Sequence, residues 1–315
     1  MTRCLIVDEM HPEIITGLQD QGLTVDYQPH ISRTELLNVI QEFEGLIIRS
    51  KTQVDQELVD RADKLKFVAR AGAGLDNLDQ EALSQAGVYV LNAPEANKDA
   101  LAEHTLGMIL NLLHNLNRGD RSVKAGIWDR EEHRGVELQH QTVGLIGFGN
   151  MGSAVAQRLR GFNCEVVAYD KYKSEIDPEL ARSVTLQELF TCCNILSLHV
   201  PLTSETRGFY NYSFFQQFKH TIILINTARG EILPLTDLVR NMKEGKIQAA
   251  GLDVLEQEPI SQLADKQKDT YDFLSGASQV ILSPHVAGWS TQSYLKISQT
   301  LATKIIDLQQ RGVID

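Results

Sequence analysis

The sequence predicts an α/β protein built from two parallel-sheet domains. Short apolar runs alternate with polar segments of helical spacing over residues 1–94, and the same alternation resumes at Thr142. The run that opens the second series breaks into three glycines, Gly147-Phe-Gly149-Asn-Met-Gly152. Strands alternating with helices are the pattern of a parallel sheet, because each parallel crossover needs a helix to return the chain. At 315 residues the chain has room for about two such domains and a substantial core.

In the first series, strands are expected at 4–7, 24–27, 45–48, 67–69 and 88–91, with helices at 12–21, 32–40, 55–62 and 79–86. Ser32 reads as an N-cap with Glu35 three residues on, and Gly87 closes the last helix. Functional loops of such sheets lie at the carboxyl ends of the strands. Those ends carry Arg49-Ser50-Lys51 and Arg70-Ala71-Gly72-Ala73-Gly74, a local gathering of positive charge. The residues alone leave open whether these are solvated strand-end charges or ligand groups; glycines beside Arg70 would let a ligand reach backbone N–H groups.

After Pro94 comes a long helix with Leu101, Thr105, Met108, Leu112 and Leu116 on one face and Ala102, Leu106, Ile109 and Leu113 beside them. So wide a stripe suits burial on two sides, as in a connector between domains or a subunit contact. His104 reads as a packed helix residue. Residues 119–141 are polar and irregular apart from Ile127-Trp128, whose tryptophan is expected to anchor an arm, with a second copy of the chain as a candidate.

From Thr142 six strands are expected, at 143–146, 166–170, 195–198, 221–225, 249–253 and 280–282. Gly147 permits the tight turn, Gly149 lets a pyrophosphate approach the backbone, and Gly152 lets the helix at 153–160 pack on the strand. Free N–H groups at Asn150 and Met151 would face that anion. Asp170 ends the next strand 18 residues past Gly152, near the spacing of about 20 expected for a ribose-binding carboxylate. Together these features predict a dinucleotide-binding sheet. The segment 261–271 reads as a mobile surface loop, and a last helix at 291–310 as returning to the first domain.

Thirty basic against 41 acidic residues, a net charge of −11, argue against nucleic-acid and anionic-membrane partners. Cys4, Cys164, Cys192 and Cys193 lack C-x-x-C spacing, which predicts free thiols of a reducing cytosol rather than disulfides or a metal site. No apolar run reaches the roughly 18 residues of a membrane span, and Asp8 and Glu9 interrupt any leader-like start. A soluble cytoplasmic protein is expected.

Three strand ends of the second series carry polar residues that a sheet does not need: Asn226-Thr227-Ala-Arg229-Gly230, Asp253 to Glu258-Pro259, and Ser283-Pro-His285-Val-Ala-Gly288. Arginine can hold a carboxylate or carbonyl with two donors, histidine can move a proton near neutral pH, and glutamate can fix and charge that histidine. They would supply acid–base chemistry beside a nicotinamide.

With these motifs, the sequence resembles the D-isomer-specific 2-hydroxyacid dehydrogenases over essentially its whole length. The resemblance implies two Rossmann-like parallel-sheet domains, with the NAD-binding domain (97–286) inserted into a split flavodoxin-like substrate domain (1–96 and 287–315). It implies that His285 is the acid–base, Glu258 its carboxylate partner, and Arg229 the residue that binds and polarises the substrate. It further implies that NAD is held by Gly147, Gly149, Asn150, Met151, Gly152, Asp170, Thr227, Asp253 and Gly288, and that Gly72, Ala73 and Gly74 receive the substrate carboxylate. A homodimer formed through the cofactor domain is implied as well.

Within the family, Ile48-Arg49-Ser50 and Ala69-Arg70-Ala-Gly72-Ala73-Gly74-Leu-Asp-Asn77 are most similar to the substrate-side motifs of the phosphoglycerate dehydrogenases, which implies that Arg49, Ser50 and Arg70 meet the substrate and that the two arginines would suit a phosphate. Leu233-Pro234 and a longer 261–276 segment depart from the family pattern. The C-terminal regulatory domain of longer members does not follow, so feedback through it is not expected. Three functions are compatible with the resemblance: oxidation of D-3-phosphoglycerate in serine synthesis, reduction of hydroxypyruvate or glyoxylate, and a dehydrogenase-like NAD-sensing binding protein.

Overall fold

The computed structural model describes residues 1–173 and 175–315, with the side chains of all of these but Asp265 and Lys266. The chain forms two compact units, one of residues 1–97 with 289–315 and one of residues 98–288.

The first unit runs β1 (Arg3–Ile6), α1 (Glu13–Gln19), β2 (Thr24–Tyr27), α2 (Arg33–Val39), β3 (Gly45–Ile48), α3 (Gln56–Asp60), β4 (Phe67–Arg70), α4 (Gln80–Gln85) and β5 (Tyr89–Asn92). Its strands pair in parallel in the order β2-β1-β3-β4-β5, the flavodoxin-like winding. β3 is buried along its whole length, which accounts for its unbroken apolar run. The Ser32 hydroxyl and the Glu35 carboxylate close a reciprocal capping box on α2, while Asp55 and Asp79 cap α3 and α4. Each such cap contributes about 1 kcal/mol. These caps set where the helices begin and leave the carboxyl ends of the strands as open loops.

The second unit opens inside α5 (Pro94–Leu113), followed by α6 (Leu116–Lys124), β6 (Thr142–Ile146), α7 (Asn150–Leu159), β7 (Glu165–Tyr169), β8 (Arg182–Ser183), α8 (Leu186–Cys192) and β9 (Ile195–Leu198). It continues through α9 (Tyr212–Gln216), β10 (Ile222–Asn226), α10 (Leu235–Lys243), β11 (Ile247–Leu252), α11 (Asp265–Gly276) and β12 (Val280–Leu282). The sheet is parallel throughout, in the order β12-β11-β10-β9-β6-β7-β8. Winding reverses between β6 and β9, the switch point where ligands bind in open α/β sheets. α12 (Thr291–Gln310) belongs to the first unit, where Ile297, Leu301, Ile305 and Leu308 join a core with Cys4, Ile6, Ile14 and Leu18.

Three segments differ from the sequence expectation. A seventh strand, β8, is only two residues long with both side chains exposed, so it has no apolar run to announce it. Residues 119–124, expected as irregular, are helical as the later part of α6: no residue of α6 is buried, Arg121 and Lys124 lie in its last turn, and Lys124 pairs with Asp120. The expected mobile loop is instead mostly helix α11, because Leu274 is buried in the core and Tyr271 and Phe273 pack against it. Trp128, expected as an anchor, is 80% exposed in the single chain. Among the described residues no helix is long and apolar enough to cross a membrane.

Candidate active site

The glycine turn at the end of β6 leaves no room for a side chain at two of its three glycines. Gly147 has φ +90°, and a Cβ there would lie 2.5 Å from the carbonyl oxygen of His199. A Cβ at Gly152 would lie 2.1 Å from the Gly147 carbonyl, so α7 can start directly against the strand only as glycine. By contrast a Cβ at Gly149 would meet nothing within 4 Å, and no side chain caps the first turn of α7. The start of α7 at Gly149 is thus open and uncapped, as an anion at the helix N-terminus would require. At the end of β7 the Asp170 carboxylate accepts from the N–H groups of Phe148 at 2.7 Å, Tyr172 at 2.9 Å and Lys173 at 3.1 Å. It is held at the rim of the turn, with lone-pair capacity left for ribose hydroxyls.

The ends of β10, β11 and β12, adjacent in the sheet, carry the polar motifs. Asn226 shapes the first loop: its Nδ2 donates to the Arg229 carbonyl at 2.9 Å and its Oδ1 accepts from Ala228 N at 3.1 Å. A Cβ at Gly230 would sit 1.8 Å from the Leu255 carbonyl oxygen, so glycine after Arg229 is what lets this loop lie on the 253–258 loop. Thr227 is buried, its hydroxyl 3.1 Å from that of Thr105 on α5.

His285 Nδ1 donates to Glu258 Oε2 at 2.7 Å. The backbone of His285 takes φ +55°, an uncommon conformation for a residue with a side chain and one that clusters at functional sites. It is held there by its N–H, which donates to the Asp253 carbonyl at 2.8 Å, and by the Asp253 side chain. Only 1% exposed, the Asp253 carboxylate accepts from Ser283 Oγ at 2.5 Å, Val286 N at 2.9 Å and Ala287 N at 2.8 Å. The Ser283 hydroxyl spends its proton on Asp253, so it accepts from His104 Nε2, 3.0 Å away. His104, expected as a packed helix residue, is therefore part of the support of the His285 loop. Sequence spacing held no signal for this contact, since 179 positions separate its partners.

Burial raises the Glu258 carboxyl, but hydrogen bonds from the His285 ring and Leu255 N, with the charges of His285 and Arg229, outweigh it and hold the group below the ordinary carboxylate range. The site thus keeps a carboxylate beside an imidazole whose other nitrogen, Nε2, can exchange a proton. Gly288 closes the same loop.

In the first unit, Arg49 and Ser50 follow β3, and Arg70 to Gly74 follow β4, its neighbour in the sheet; Ile48 and Arg70 are register partners. The Arg70 guanidinium folds over Gly72, where a Cβ would lie 1.9 Å from Nη1. Asn92 Nδ2 donates to the Ala73 carbonyl at 2.7 Å, fixing the glycine loop. Residues 49–52 are pinned from below by two groups that spacing did not single out. The buried Asp8 carboxylate accepts from Arg49 N and from Thr52 Oγ1, and Asn77 Nδ2 donates to the carbonyls of Arg49 and Thr52. Trp289 was also missed: the Arg49 guanidinium lies 3.7 Å from the centroid of its ring, which packs edge-on against Tyr294.

Residues 106–287 match the family described as D-isomer specific 2-hydroxyacid dehydrogenase, NAD binding domain. The chain belongs to that family. It is 34% identical to the D-3-phosphoglycerate dehydrogenase of Archaeoglobus fulgidus over 97% of this chain and 57% of that one. It is 36% identical to the hydroxypyruvate reductase of Thermotoga maritima over 88% of each. A D-lactate dehydrogenase from Aquifex aeolicus, solved with NAD and lactic acid, matches with a TM-score of 0.85 at 27% identity, over 99% of this chain and 96% of that one. The chain spans a little over half the length of the phosphoglycerate dehydrogenases that it matches. The open glycine cradle and the Asp170 carboxylate fit the family's cofactor, NAD.

Proposed function

We propose that the protein oxidises a D-2-hydroxy acid with NAD, specifically D-3-phosphoglycerate to 3-phosphohydroxypyruvate, a step that feeds serine synthesis. The observation that carries the substrate choice is the pair Arg49 and Arg70, two cations at the carboxyl ends of neighbouring strands in a chain of net charge −11. Guanidinium groups suit a phosphate, each contact being worth about 1.5 to 3 kcal/mol. Ser50 and the backbone of Gly72, Ala73 and Gly74 take further oxygens of the same substrate.

When bound, NAD supplies a nicotinamide that accepts hydride from the substrate C2. His285 Nε2 takes the C2 hydroxyl proton as that bond develops and returns it in the reverse reduction. Glu258, bound to Nδ1, fixes the ring and stabilises its charged form. Arg229 binds the substrate and polarises its C2 oxygen, while the backbone of Gly72, Ala73 and Gly74 receives the carboxylate. Asp253, with Ser283 and His104 behind it, keeps His285 in its uncommon backbone conformation. Asn150 and Met151 hold the pyrophosphate, Asp170 the ribose hydroxyls, and Thr227, Asp253 and Gly288 the nicotinamide end.

The enzyme acts as a homodimer through the cofactor domain, where Leu116, Val123, Ile127, Trp128 and Val136 are exposed apolar side chains of one arm. Four free cysteines agree with a cytoplasmic setting. The second reading, a hydroxypyruvate or glyoxylate reductase, draws on the match to the Thermotoga maritima protein, which is similar in length. Steady-state NADH formation against a panel of phosphorylated and plain D-2-hydroxy acids, with the reverse reaction on hydroxypyruvate and glyoxylate, separates the readings. Fastest turnover on D-3-phosphoglycerate is expected. Preference for the plain 2-keto acids would favour the reductase, and absence of turnover on every substrate would leave a cofactor-sensing protein.

A further inference from the structure

The loop after β7 reads Asp170-Lys171-Tyr172-Lys173, and its charges pull in opposite directions. Asp170 alone favours a ribose diol and repels a 2′-phosphate. Two lysines beside it make the loop net positive, which taken by itself would welcome that phosphate. The structure shows where these amines go. Lys171 Nζ donates to Glu205 Oε2 at 2.7 Å, and the Tyr172 hydroxyl donates to the same oxygen at 2.6 Å. Lys173 Nζ donates to the Phe148 carbonyl at 3.3 Å.

Glu205 stands on a stiff turn rather than a loose loop. Thr203 N donates to Thr206 Oγ1 at 2.8 Å, Thr206 N to Thr203 Oγ1 at 3.2 Å, and Thr206 Oγ1 to the Pro201 carbonyl at 2.7 Å. The turn follows β9, the strand next to β6 on the far side of the switch point. Its carboxylate is therefore fixed at the same edge as Asp170 and grips Lys171 and Tyr172 together.

We propose that Glu205 determines cofactor choice: it engages the Lys171 ammonium and adds a second negative charge beside Asp170, so that the loop discriminates against a 2′-phosphate despite its two lysines. This rests on the NAD reading of the Gly147 turn and names a residue outside the glycine motif that enforces it. The hydrogen bond to Glu205 also raises the affinity of Lys171 for its proton, and the bond from Lys171 holds the Glu205 carboxyl down, as a formed ion pair requires. Both side chains are more than half exposed, so removing the pair costs the fold little.

Binding of NADH and of NADPH, followed by nicotinamide fluorescence, tests the inference in the wild type, Glu205→Gln, Lys171→Ala and the double variant. Glu205→Gln should tighten NADPH by about three- to ten-fold while NADH changes less than about two-fold, because the freed ammonium can pair with the phosphate. The gain should shrink as salt is raised and vanish in the double variant, where the amine is gone. An unchanged NADPH-to-NADH ratio in Glu205→Gln, or an equal gain without Lys171, would overturn the role of Glu205. A wild type that binds neither dinucleotide would instead remove the cofactor reading itself, and this inference with it.

Discussion

The imidazole of His285 and the carboxylate of Glu258 meet at 2.7 Å although they follow different strands, β12 and β11. That contact makes the pair a unit, so the two substitutions differ in kind. His285→Ala removes the proposed proton acceptor and should lower turnover by on the order of 10² to 10⁴. Glu258→Gln keeps the shape and removes the charge, with an expected loss of about 10- to 100-fold, of the size seen for groups that orient another. NADH titration should be nearly unaltered in both. Full activity in the alanine variant would take His285 out of the chemistry.

The Glu258 carboxyl also carries a pH signature. Because it is held below its ordinary value, its contribution to stability is fully present above about pH 4.3 and is lost as pH falls through the lower folded value. The gap in Tm between wild type and Glu258→Gln should therefore close in acid. Thermal unfolding measured from neutral pH downward checks this; a gap independent of pH would contradict the pairing.

His199 should act in the same direction, in a higher pH window. Its Nδ1 is buried without a hydrogen-bond partner among the described residues, and burial lowers the ring to about 4. The unfolded chain takes up this proton near pH 6.5 and the folded protein only near 4, so stability falls as pH is lowered between those values. The full loss is up to about 3 kcal/mol, at about 1.4 kcal/mol for each pKa unit. Urea unfolding across that window should show a slope in the wild type that His199→Gln, which can still bond Ser197, lacks.

Trp289 holds one face of the Arg49 guanidinium at 3.7 Å. A cation–π contact is worth about 0.5 to 2 kcal/mol, so Trp289→Leu should raise KM for a phosphorylated substrate by about two- to thirty-fold, with Trp289→Phe in between. Plain substrates should respond less. Equal effects on both would mean that the ring supports the fold rather than the arginine.

Those parts of the chain where one residue type serves one local need were legible in advance. The Ser32 box, the Gly147 turn and the apolar strands follow from local sterics and period. Likewise the His285 and Glu258 motifs carried a family pattern. What escaped were partners joined only by the fold. His104 meets Ser283 across the unit, Asp8 closes the Arg49 loop from another strand, and Trp289 reaches Arg49 from the far end of the chain. α11 was misread because its polar face hides the spacing of Tyr271 and Leu274, and β8 because two exposed residues make no pattern.

If Arg49 and Arg70 select a phosphorylated substrate, kcat/KM for D-3-phosphoglycerate and D-glycerate in wild type and Arg70→Ala shows it most directly. The wild type should prefer the phosphorylated acid, and the variant should lose about ten- to a hundred-fold on it while changing little on D-glycerate. Equal losses on the two acids, or a wild type that does not distinguish them, would contradict the account.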